Sequence, residues 1–164
     1  MIAFAGRNLK VFFRDKAAVF FSLLASLIII GLYALFLGNN MASYLEQFPD
    51  SRLLVDRWLV AGLVSITSIT TAMGAFGVMV DDKSKQIIKD FLTSPIRRWK
   101  LMAGYIFSAF IIGYIMSVIT LLVAQVYILA QGGSIISLLN YGKVLLVLLL
   151  AGFCNTTMVF FFAA

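Results

Sequence analysis

Four apolar runs, at residues 17–37, 59–80, 101–130 and 144–164, decide most of what this chain of 164 residues can become. Each is at least as long as the roughly 20 residues an α-helix needs to cross a hydrocarbon core about 30 Å thick. Inside lipid, every backbone N–H and C=O must be satisfied within its own segment, so runs of this kind become helices. The sequence therefore predicts an all-α, polytopic membrane protein. It has one transmembrane domain over residues 1–164, with an interfacial helix at 1–16 ahead of four spans. Composition agrees: 62% of residues are hydrophobic and only 12% charged, where a soluble domain carries about a quarter charged residues.

The formal net charge is +6. In a soluble protein that would raise nucleic acid as a partner. Here the lysines and arginines flank apolar runs, so they read as topology signals and contacts to anionic lipid. Arg7, Lys10, Arg14 and Lys16 precede the first span, and Lys83, Lys85, Lys89, Arg97, Arg98 and Lys100 lie between the second and third. The alternate connections hold only Arg52, Arg57 and Lys143. The bias puts the amino terminus and the 81–100 loop in the cytoplasm of a multi-pass cell-membrane protein.

Several chemistries are excluded. There is no histidine and one cysteine, Cys154, which leaves no metal-ligand cluster, no imidazole base and no internal disulfide. No phosphate-cradling G-x-x-x-x-G-K-[ST] loop occurs, so this chain binds no ATP by that device. No ionisable residue lies in the middle of a span, which weighs against an ion-coupled transporter acting alone. No cofactor, metal or catalytic residue is expected.

Taken in order, residues 1–16 place Ile2, Ala5, Leu9, Phe12 and Phe13 at helical spacing, as in a helix lying in the interface with its apolar face down. The first apolar run is too long for a signal-peptide core and reads as an uncleaved span. The second is rich in small and hydroxyl residues. Ala61, Ser65, Ser68, Ala72 and Ala75 form one stripe, and Thr67, Thr70 or Thr71, Gly74 and Gly77 the next. Ser65, Thr67, Ser68, Thr71, Ala72 and Gly74 thus mark a face for helix packing, or one lining a path.

In the third run, Gly104 and Gly113 allow close approach or a kink, and Gln125 is its strongly polar residue, read as a hydrogen bond between helices ahead of a ligand for cargo. Gly132, Gly133 and Ser134 signal a turn. The fourth run ends without a charged or aromatic anchor, so the sequence reads as the amino-terminal part of a longer protein.

Residues 81–100, DDKSKQIIKDFLTSPIRRWK, hold nine of the twenty charged residues. Ile87, Ile88, Phe91 and Leu92 share one helical face, and Lys83, Lys85, Lys89 and Asp90 the other. Ser94-Pro95 caps a new helix leading into the third span. A short amphipathic helix over residues 82–92 therefore lies between two spans. Its pattern fits equally a helix resting on lipid and one docked into a protein.

The run from Asp81 to Ile106 resembles the cytoplasmic segment of type-2 ABC transporter permeases. The shared parts are an acidic start, a lysine-rich helix, a Ser-Pro-Ile stop, a basic pair and a Gly-Tyr entry to the next span. Asn8-Leu9-Lys10 and Arg14-Asp15-Lys16 before a Phe-rich span are similar to that family's interfacial helix. The resemblance implies six spans, of which four are present here, and permeases that pair as homo- or heterodimers on cytoplasmic ABC ATPase subunits. It implies that residues 82–92 are the coupling helix, with Ile87, Ile88, Phe91, Leu92, Ser94 and Pro95 at or near the ATPase. It also implies export of drugs, peptides, polysaccharides or lipids. Two rival readings make different demands: an ion-coupled secondary transporter or channel would work without a partner, and a membrane scaffold or immunity protein would bind no ATPase.

Overall fold

A computed structural model describes residues 2–37, 51–87, 98–132 and 138–163. All elements among them are helical. α1 spans Ile2–Arg14, and α2 spans Lys16–Leu32, continued by a π-turn at Tyr33–Leu37. α3 covers Ser51–Ser84, α4 covers Arg98–Ala130 and α5 covers Leu138–Ala163. Four of these helices are long and apolar enough to cross a membrane: Lys16–Phe36, Leu53–Ser84, Arg98–Ala130 and Leu139–Ala163.

Local chemistry sets the breaks. Asp15 ends α1 and caps α2, its Oδ1 accepting from the backbone N–H of Ala17 and Ala18 at 3.1 Å each. A side-chain oxygen there satisfies donors that the first turn of a helix cannot use internally. At the far end of α4 the chain turns through Gly132, whose φ of 81° is the left-handed geometry glycine adopts without a Cβ penalty.

α3 and α4 pack along each other and form the centre of the bundle, with α2 and α5 on its flanks. The buried face of α3 runs through Val60, Val64, Thr67, Thr71, Phe76 and Met79, and the matching face of α4 through Tyr105, Ala109, Ile112, Met116 and Ala124. Lipid tails are as apolar as these side chains, so close packing and hydrogen bonds between helices hold such a contact. Thr67 and Ser68, consecutive on α3, tie both flanks to the centre. Thr67 shares a hydrogen bond with Ser26 of α2 at 2.6 Å, and Asn155 of α5 donates to Ser68 at 3.1 Å. At Gly113 an added Cβ would come within 3.7 Å of the Ser68 carbonyl, so α4 approaches α3 at backbone distance there. α4 runs unbroken through both Gly104 and Gly113.

Three differences from the sequence expectations have physical reasons. α1 does not rest its apolar face on lipid alone: Ala5, Asn8 and Phe12 are buried against α4 and α3. The small-residue face of α3 is not a single face. Thr67, Ser68, Thr71 and Ala72 point into the bundle, whereas Ser65 and Gly74 lie on its surface and the Ser65 hydroxyl bonds its own helix at Ala61. An α-helix turns 100° per residue, so these six positions fan over about half its circumference, with Ser65 and Gly74 at the two edges.

Gln125 is the third difference. It is buried, but neither its oxygen nor its nitrogen has a hydrogen-bond partner among the described residues. Leu121, Ala124 and Ile128 flank it on the buried side of α4, within a cluster that includes Ile30, Val60 and Leu63. An unsatisfied buried amide costs about 1–3 kcal/mol. Gln125→Met keeps the volume and removes that cost, so it should raise the thermal-unfolding midpoint of the purified protein.

Candidate functional site

The end of the bundle that gathers the basic residues also holds a charged side chain buried almost completely. α3 does not stop at Val80, where its apolar run ends, but continues to Ser84. The stripe Ser68, Ala72, Ala75, Met79 therefore reaches one more inward position, which is Asp82. Its carboxylate is 5% exposed. A carboxylate so enclosed requires partners.

Three groups supply them. Arg7 of α1 donates through Nη1 to Oδ2 at 2.7 Å and through Nη2 to Oδ1 at 3.0 Å, a two-pronged contact that fixes both planes. The Tyr105 hydroxyl of α4 donates to Oδ2 at 2.7 Å. Arg7 also bonds Asn8 at 3.1 Å, Asn8 donates to Ser108 at 3.2 Å, and Ser108 donates to the Tyr105 carbonyl at 2.9 Å. The network closes on itself and joins α1, α3 and α4. The hydrogen bonds it donates to Asp82 hold the Arg7 guanidinium above the ordinary arginine pKa.

Apolar contacts seat the same joint. The Phe4 ring meets Tyr105 edge-on at 4.9 Å and lies under the Arg7 guanidinium at 5.9 Å. Phe4 fills a notch over Gly104, where an added Cβ would stand 2.7 Å from its ring. Phe12 lies over Gly74, 3.7 Å from the place a Cβ would occupy. Between α1, the start of α2 and the end of α3 is a cleft of about 370 Å³ whose walls include Asp15, Gly77, Asp81, Lys85 and Ile87.

Immediately beyond the joint the chain turns. Lys85 and Gln86 leave the helix, and Gln86 takes φ 59°, a left-handed conformation unusual for a side chain of its length. The break between the second span's helix and whatever follows therefore falls at Lys85–Gln86, so the residues 82–84 assigned from sequence to the coupling helix belong to α3. Ile87 follows the turn, half-buried on the cleft wall. Ile88, Phe91, Leu92, Ser94 and Pro95 lie outside the described residues.

A family model described as ABC-2 type transporter matches residues 1–164. The chain belongs to the ABC-2 type transporter family. Comparison with curated proteins gives no match, and comparison with solved structures gives none. The chain is thus a membrane permease of ABC-2 type transport, a multi-pass membrane protein and not itself the catalytic subunit. In this ABC-2 type transporter the joint at Asp82 went unread in the sequence because residues 81–100 look like one charged loop. The usable signal was the inward stripe on α3, which continues in step past the last apolar residue to an acid.

Truncating either side of the ion pair is not symmetrical. Arg7→Ala leaves an enclosed carboxylate with one neutral donor, whereas Asp82→Ala leaves a guanidinium that is one-third exposed and reaches water. Arg7→Ala should cost more, on the order of 2 kcal/mol after discounting for that exposure, and the double variant should recover part of the loss. Thermal unfolding of the four proteins in one detergent checks this.

Gly104→Ala should displace Phe4 and destabilise by about 1–2 kcal/mol. In a Phe4→Ala background the same change should cost much less, because the ring it collides with is gone.

Proposed function

We propose that this chain is the membrane half of an ATP-driven exporter, worked by a separate cytoplasmic ATPase that grips the segment following Gln86. The observation that supports this most directly is the placement of the turn at Lys85–Gln86. It sits one residue past α3, next to an end of the bundle fastened by Arg7, Asp82 and Tyr105. A load applied to the segment after the turn enters α3 without slack and passes through Asp82 to α1 and α4. On the positive-inside bias that end faces the cytoplasm, where an ATPase would be. In this reading Ile87, Ile88, Phe91 and Leu92 bury against the ATPase, and Ser94-Pro95 starts the return into α4.

The charge distribution along α3 supports a passive permease over an ion-coupled one. From Trp58 to Val80 the helix carries no charge. Its two buried acids stand near opposite ends, Asp56 receiving the Tyr33 hydroxyl at 2.8 Å and Asp82 receiving Tyr105. They are about 39 Å apart along the helix, more than the hydrocarbon thickness, so neither offers an ion a ligand at the midplane.

The test is Phe91→Asp combined with Leu92→Asp. Membrane insertion should be unchanged, while ATPase co-purification drops at least about tenfold, as expected when two apolar anchors become charged. Unaltered co-purification and transport would reject the docking role.

A further inference from the structure

α1 has two sides, and the joint accounts for only one. Ala5, Asn8 and Phe12 are buried against the bundle. Lys10 and Arg14 stand a turn apart on the opposite side, both exposed, in line with Arg7. They border an open groove along α1 itself, lined also by Ala3 and Gly6. Neither Lys10 nor Arg14 has an ion-pair partner among the described residues, and the one acid beside them, Asp15, is engaged in capping α2. Val11 and Phe13, 42% and 37% exposed, stand as apolar shoulders beside this basic ridge.

We infer that the Lys10–Arg14 ridge of α1 is a binding site for the headgroup of an anionic phospholipid. Its depth is fixed by the chain. Only Asp15 separates Arg14 from α2, so the ridge ends where the first span enters the hydrocarbon. At that depth a phosphate between two cations and acyl chains against Val11 and Phe13 satisfy both kinds of surface. The exposed third of Arg7 borders the same groove, so a bound phosphate adjoins the joint that fastens α1 to α3. The inference needs only the membrane location of the chain and not the exporter reading.

The probe is the full-length chain in bilayers of equimolar phosphatidylglycerol and phosphatidylcholine, with the lipid retained after detergent extraction counted by native mass spectrometry. The wild type should retain phosphatidylglycerol in excess. Lys10→Gln with Arg14→Gln should lower that excess roughly tenfold, since each cation near a charged surface is worth about 1 kcal/mol before screening. The conservative exchange Lys10→Arg with Arg14→Lys should restore it. Removing two charges elsewhere at the same end, by Arg98→Gln with Lys100→Gln, should leave it in place. Equal retention of the two lipids by the wild type overturns the site. So does an equal fall in the Arg98/Lys100 variant, which would mark bulk attraction. Loss of a co-purifying ATPase from the Lys10/Arg14 variant with lipid retention unchanged would make the ridge a protein contact, and overturns it too.

Discussion

A carboxylate enclosed at the end of a membrane helix has few options, and Asp82 has taken all of them. Both oxygens are held by Arg7 and one also by Tyr105. Separating these groups would strand a charge away from water, which is far more costly than their net attraction is favourable. The constraint therefore works as a fastening more than as a source of stability. α1 is bound to the bundle, and α3 and α4 keep a fixed relation at that end because one carboxylate needs donors from both sides.

Away from this end the bundle relies on weaker, more distributed contacts. Small residues bring α3 and α4 to backbone distance near Gly113, and single hydrogen bonds from Ser26 and Asn155 hold the flanking helices. Each such bond is worth about 1 kcal/mol or less in a membrane. Sliding or tilting α2 and α5 against the centre is accordingly cheaper than opening the joint. If, as proposed, a partner grips the segment after Gln86, that contrast gives a stiff end to receive load and a softer middle to respond.

Both ends of α3 repeat one arrangement, a buried aspartate taking a tyrosine hydroxyl from a neighbouring helix. The π-turn at Tyr33–Leu37 belongs to the Asp56 version, since Tyr33 is its first residue. At the basic end a cation, Arg7, joins the pair.

The four spans, the all-helical class and the family resemblance were legible in residue order, because an apolar run of sufficient length has one stable form in lipid and needs no partner to define it. The same holds for the basic bias and for the turn at Gly132, which local chemistry dictates. What tertiary structure alone decided is which side of each helix looks inward. It assigned Ser65 and Gly74 to the surface and Thr67 and Ser68 to the contacts, left Gln125 among apolar neighbours, and moved Asp82 from a charged loop to the inside of a joint with a residue 75 positions away. Periodicity fixes a stripe's spacing but not the neighbour it meets, and a charge reads as solvated until a second helix is placed over it.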